Sequence, residues 1–462
     1  MDPQKQRELL IDAANRGIRY LQSLKTRPVY PQAGPIERLE RALDQSLPEG
    51  PSEASEVLAF IDDFGTPATV ASAGGRYFGF VTGGALPAGL AANWLAGAWD
   101  QSCFGFHSSP AVALFEAAAL RWLKDCLRLP PEAEGAFVVG ATMANFTCLA
   151  AARGEVLRRA GWDVEANGLF GAPEISVIVG EEVHASVLKV IAMLGLGRDR
   201  VVRVPVDSQG RVRPDRMPKI EGPSIVCLQA GNVNSGAFDP AGEIIPAAKA
   251  AGAWVHIDGA FGLWARASRR LAPLAEGLEA ADSWATDAHK WLNVPYDCGV
   301  ALVHSAEALR RAMSISGAYL LSGDRRDPMD VTPDSSRRAR AVDVWAILKS
   351  LGKAGVEEMV DRHCRQARWL SDRLGEAGVE VLNDVSLNQV VVSFGDERQT
   401  AGAIAALQES GECWCGGTSW RGRAAMRISI SSWATTQNDL ERTLATILSA
   451  QKSELQGELP VS

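Results

Sequence analysis

Three short blocks carry residue types that could do covalent chemistry on a small molecule. In AWVHIDGAFG, Asp258 closes an apolar run and precedes glycines that let a ligand approach the backbone. In SWATDAHKWLN, His289 and Lys290 lie just past a second apolar run, and in VIVGEEVHASVLKV, His184 stands between a third run and a helical stretch. A buried carboxylate is costly unless it meets a cation. A lysine amine can form a Schiff base, an acid can pair with a protonated ring nitrogen, and an imidazole can stack on a ring face. An Asp, a Lys and a His at three strand ends of one sheet would together hold a pyridine ring. Taken singly, Asp258 could cap a turn, Lys290 could be a solvated loop lysine and His184 a satisfied helix-start residue.

The elements that must position these residues are legible as alternation. Apolar runs at 136–140, 175–179, 201–206, 224–230, 253–258, 283–288 and 299–304 alternate with helical stretches such as MANFTCLAAARGEVLRRA and EIIPAAKAAG. Nearly continuous apolar strands are buried on both faces, so the pattern predicts an α/β, doubly wound, mostly parallel sheet. Ligands in such sheets sit beyond the strand C-termini. Residues 1–65 read as amphipathic helices whose apolar face needs a second surface, such as a partner subunit, and 66–312 as the sheet domain. Residues 313–462 read as a polar, Pro-bearing loop followed by a small α+β domain.

Composition narrows the function. There are 47 Lys and Arg against 55 Asp and Glu, for a net charge of −8, which argues against a nucleic-acid partner. The uncharged stretch Tyr77–Trp99 is interrupted by glycines, Pro87 and Asn93, and is expected to be a loop plus helix rather than a membrane span. Eight scattered cysteines, with only C-W-C at 413–415 close together, suggest reduced thiols. With MDPQKQRELLIDAANRG lacking an apolar signal core, they point to a cytoplasmic location. Six scattered histidines and the absence of HExxH, P-loop, GxGxxG or GxSxG patterns give no support for a metal site or those chemistries.

H-I-D-G-A followed by D-A-H-K-W-L-N, with Lys290 32 residues after Asp258, resembles the pyridoxal-phosphate-dependent group II amino-acid decarboxylases, which include aromatic-amino-acid, histidine and glutamate decarboxylases. The likeness extends to GATMANFTCLAAAR, GEEVHASVLKVIAMLG, GNVNSGAFDP, YFGFVTGGALPAGLAANWLAGAW, SSRRARAVDVWA and RISISSWATT. It implies fold type I, with a seven-stranded large domain, a small C-terminal domain and a homodimer with active sites at its interface. It implies an internal aldimine between Lys290 and pyridoxal 5′-phosphate, Asp258 on the pyridinium nitrogen and His184 on the ring face. Ala141 and Thr142 would meet the phosphate at a helix N-terminus. His289, Asp287, Asn232 and Asn234 would also line the cofactor. Asp287 stands where many members have Asn, and an acid there is expected to face away from the phosphate or reach it through water. Thr82, Phe80, Phe104 and His107 would border the substrate. The phenylalanines favour a bulky or aromatic L-amino acid, converted to an amine and carbon dioxide.

One departure bears on the product. The family's mobile loop usually carries a tyrosine that returns a proton to Cα, and SGDRRDPMDVTPDSSRR has none. Tyr319 precedes it, and Val331 sits where such a tyrosine is expected. This leaves open an aldehyde-forming oxidative deamination or an aldolase- or lyase-type cleavage on the same scaffold. The run DRRDPMD is expected to be a solvated loop, and Trp414, Trp420 and Arg421 small-domain structure.

Overall fold

All seven apolar runs form strands. In the computed structural model, which describes residues 2–314 and 325–456, they are β1 (Glu134–Val138), β2 (Ser176–Gly180), β3 (Val202–Val204), β4 (Ser224–Gln229), β5 (Trp254–Asp258), β6 (Ser283–Asp287) and β7 (Gly299–Val303). They lie in the order β1-β7-β6-β5-β4-β2-β3. Five strands, β6, β5, β4, β2 and β3, run parallel, and β7 is antiparallel to both β6 and β1. Helices Ala141–Arg159, Ala185–Met193 and Ala241–Ala250 make the crossovers, so β2, β5 and β6 deliver His184, Asp258 and Lys290 to one edge of the sheet. The long crossover helix lies close to the sheet because its inner face is small. Ala144, Cys148 and Ala151 are each 0% exposed and pack with Ala136, Val179, Ile225, Ala285 and Ala301. An added methylene there would overpack, at about 1–3 kcal/mol.

Among the described residues, 83–314, 325–368 and 383–390 form one compact unit, and 2–82, 369–382 and 391–456 another. This grouping puts the N-terminal helices in the same unit as much of the C-terminal segment. Strands β10 (Gly416–Trp420) and β11 (Arg423–Ser429) pair antiparallel, as do β8 (Glu380–Val381) and β9 (Gln389–Ser393), in a second, four-stranded sheet ordered β10-β11-β9-β8. Trp420 is buried there with Val391 and Ala425, as a structural residue. Tyr77 stacks on Trp414 with ring centres 5.0 Å apart, and Phe80 lies 5.4 Å from the same indole. Thr82, 7% exposed, donates its N–H to Gly79 and accepts Ser431 Oγ at its carbonyl. The Tyr77–Trp99 stretch ends in a 13-residue helix, Pro87–Trp99, and no helix among the described residues is long and apolar enough to cross a membrane.

The structure corrects one sequence expectation outright. The run after 324 is not a solvated loop. Arg326 donates to both Glu116 (3.0 Å) and Glu134 (3.1 Å), and Asp327, Pro328, Met329 and Val331 are buried. Arg337 forms a second ion pair with Glu116, in which both side chains are 2% exposed. Val331, expected on a mobile loop, is 1% exposed in the same hydrophobic cluster as Val138 and Leu309. Val331 is therefore a core position rather than part of a mobile loop. Tyr319 lies outside the described residues.

Candidate active site

Lys290, Asp258 and His184 face one cavity of about 360 Å³, lined also by Gly140, Ala141, Thr142, Asp287 and His289. Each wall comes from a strand end. Asp258 is the last residue of β5, Asp287 the last of β6, and His184 the N-cap of the helix that follows β2. Gly140 and Ala141 open the helix after β1. Two glycines permit this convergence. A Cβ on Gly299 would lie 2.5 Å from the backbone of Gly140, and one on Gly83 would lie 2.0 Å from the Lys290 carbonyl oxygen.

Asp258 is 6% exposed and accepts the Ala260 N–H at 3.3 Å. Burial pushes its carboxyl pKa up, while the nearby charges of His184 and Lys290 pull it the other way. His184 Nδ1 accepts the backbone N–H of Ser186 at 3.2 Å and lies 2.7 Å from Ser186 Oγ. An amide can only donate, so the neutral ring carries its proton on Nε2. His289 Nδ1 likewise accepts the Cys298 N–H at 3.1 Å, and burial lowers the His289 pKa.

Asp287 does not face away, as its charge suggested it would. Its Oδ1 accepts the Ala141 N–H at 2.6 Å and its Oδ2 lies 3.0 Å from Lys290 Nζ. Asn232 and Asn234 are not among the cavity-lining residues, although their neighbours Gly231 and Val233 are. Asn232 Oδ1 instead braces its own turn, accepting the N–H groups of Asn234 and Ser235. Phe104 and His107, in the same unit, do not line this cavity either. The Phe104 carbonyl accepts the Met329 N–H, and His107 is exposed with its ring edge-on to Phe106. Phe80 and Thr82 belong to the other unit.

Sequence reasoning missed Ser186, Gln229 and Phe261 on the cavity wall. Ser186 was discoverable as the second residue after a helix-capping histidine, and Gln229 as the residue that pairs in register with Asp258. Phe261 had no distinguishing signal. His256, also unassigned from sequence, is fully buried beneath the site, bonded to Ser283 Oγ and Asn145 Oδ1 at 2.9 Å each.

Residues 37–394 match the model of the pyridoxal-dependent decarboxylase conserved domain. The chain is 30% identical over 354 residues to acidic amino acid decarboxylase GADL1 of Mus musculus, covering 74% of this chain and 63% of that protein, so the match spans less than two thirds of that relative's length. It is 26% identical over 390 residues to an aromatic-L-amino-acid decarboxylase of Bacillus atrophaeus, covering 82% and 79%. The crystal structure of Oryza sativa TDC with PLP and tryptamine has the same fold, with a TM-score of 0.89 at 22% identity, over 98% of this chain and 99% of that one.

Proposed function

The chain belongs to the pyridoxal-dependent decarboxylase family, and from that premise we propose that it removes the α-carboxylate of an L-amino acid, releasing carbon dioxide and an amine. The observation that carries this reading is the convergence of Lys290, Asp258 and His184 on one cavity. The donor set suits pyridoxal 5′-phosphate. It offers one amine for an aldehyde, a helix N-terminus for a phosphate, and a buried carboxylate that a cationic ring nitrogen would satisfy. When bound, the cofactor supplies an electron-withdrawing ring that stabilises negative charge at Cα as carbon dioxide leaves.

Each residue then has a task. Lys290 is the amine that would anchor the cofactor. Asp258 would hold positive charge at the ring nitrogen, and its burial would make that interaction strong. His184, fixed through Nδ1 by Ser186, presents Nε2 as the atom that holds or moves a proton. Ala141, Thr142 and His289 would hold the phosphate end.

A bulky or aromatic side chain is the proposed substrate feature. The proposed assembly is a homodimer. Helix Pro3–Ser23 buries none of its residues and leaves Leu10 62% exposed, an apolar face that a second copy would cover. A cytoplasmic setting is proposed from the cysteines, all eight of which are free thiols and buried.

The deciding experiment supplies pyridoxal phosphate and a panel of L-amino acids, aromatic and acidic, and measures carbon dioxide and amine. Equimolar amine and carbon dioxide from at least one bulky substrate is expected. Absence of carbon dioxide release across the panel, or aldehyde with no amine, overturns the reading. Sedimentation of the purified chain at monomer mass would overturn the dimer.

A further inference from the structure

The helix Ala141–Arg159 begins without a cap of its own. Gly140 offers no side chain, and the first turn contains no acid. The cap comes from 146 residues away, where Asp287 Oδ1 accepts the Ala141 N–H at 2.6 Å. The other oxygen of the same carboxylate holds Lys290 Nζ at 3.0 Å, and His289 Nε2 lies 3.7 Å from Oδ1. Gly140 itself is pressed against this arrangement, since a Cβ there would meet His289 Cε1 at 3.3 Å and Asp287 Oδ1 at 3.6 Å.

We propose that Asp287 is a resident anion that competes with the cofactor's phosphate for the start of this helix, so that the chain binds phosphorylated ligands more weakly than its donor set alone would allow. This rests on the reading of the cavity as a pyridoxal-phosphate site. A helix N-terminus stabilises negative charge through its unpaired amides and dipole, and the effect fades within the first turn. The first amide is already bonded to a carboxylate. A phosphate arriving at Ala141 and Thr142 therefore either displaces Asp287 from Ala141 or sits beside it as a like charge. Asp258 adds a second acid to the cavity, against which Lys290 is the one lysine or arginine among its lining residues. An amide at position 287 would keep an acceptor for Ala141 while removing the charge.

The test titrates the apo-protein, wild type and Asp287→Asn, with pyridoxal 5′-phosphate and with pyridoxal, following visible absorbance. Inorganic phosphate is titrated separately by calorimetry. Comparing the two aldehydes cancels changes in Lys290 reactivity, which both share. The preference for the phosphorylated aldehyde should rise roughly tenfold in the variant, and inorganic phosphate should bind more tightly. An unchanged or smaller preference, with no gain for inorganic phosphate, overturns the competition. If neither aldehyde gives Lys290-dependent absorbance with the wild type, the cofactor reading fails instead, and the inorganic-phosphate arm still decides the competition. Asp287→Ser provides the same comparison should the asparagine variant not fold.

Discussion

The strand-end cavity and the segment 325–337 are both rich in charge, but they use it in opposite ways. Around the cavity, Asp258, Asp287, Lys290 and His184 face a space that a ligand can enter. In the segment, Arg326 and Arg337 are spent on Glu116 and Glu134, inside the protein. The first arrangement leaves groups available for chemistry; the second consumes them in holding a stretch of chain in place. The same segment also supports the 104–106 strip. Asp327 Oδ1 accepts the Phe106 N–H at 2.7 Å, Met329 donates to Phe104, and the Arg325 guanidinium lies 4.6 Å from the Phe106 ring centre. Substitutions in the two regions should therefore fail differently, one in rate and the other in stability.

Lys290→Ala sharpens that contrast most. It should abolish the visible absorbance gained on adding pyridoxal phosphate and lower turnover by on the order of 10³-fold or more, while the apo-protein unfolds at nearly the wild-type denaturant midpoint. An unchanged spectrum would move the anchoring amine elsewhere. Asp258→Asn comes next, with a loss of about 10²–10³-fold in kcat; near-normal turnover would contradict its proposed role at the ring nitrogen. Glu116→Gln should reverse the pattern. Removing the charge from a buried carboxylate that binds two arginines costs about 3–5 kcal/mol of stability, read as a shift in urea midpoint, with turnover of the remaining folded fraction changed far less. If Glu116→Gln left stability intact, the segment would not depend on its ion pairs as described.

This contrast also explains what the sequence made readable. β5 and β6, their terminal Asp258 and Asp287, and Lys290 three residues on were legible because strand periodicity and strand-end chemistry are local signals. The Glu116–Arg337 pair spans 221 positions and the Asp287 cap on Ala141 spans 146. Neither has a local pattern, so polar DRRDPMD read as solvated and Asp287 as an acid that would face away from the phosphate or reach it through water. Asn232 meets a related limit. A polar residue in a loop near a site can face the site or brace the loop, and the choice is made by where the neighbouring amides of Asn234 and Ser235 point.

The smallest expected effect lies under the site and concerns pH. His256 is 0% exposed, and burial pushes its pKa down from 6.5 to about 3. Ser283 Oγ accepts from Trp254 Nε1, which leaves its hydroxyl proton available to His256 Nδ1, and Nε2–H donates to Asn145 Oδ1; the bond to Nδ1 requires the neutral ring. Below pH 6.5 the unfolded chain takes up a proton that the folded chain refuses, so unfolding gains. The contribution of His256 is therefore fully present above pH 6.5 and is lost as pH falls toward about 3. Glu155, held by Arg158 and Arg159 and lowered to about 2, acts in the same direction but only below its ordinary value of 4.5. Asp239 and Asp343, raised to about 6 by burial, act oppositely, since their folded forms bind the proton first. The difference between wild type and His256→Gln isolates the histidine from these carboxylates. Between pH 6.5 and 4.5 the wild type should lose more urea stability than the variant on acidification, and parallel stability curves for the two proteins would show that the imidazole is not held neutral.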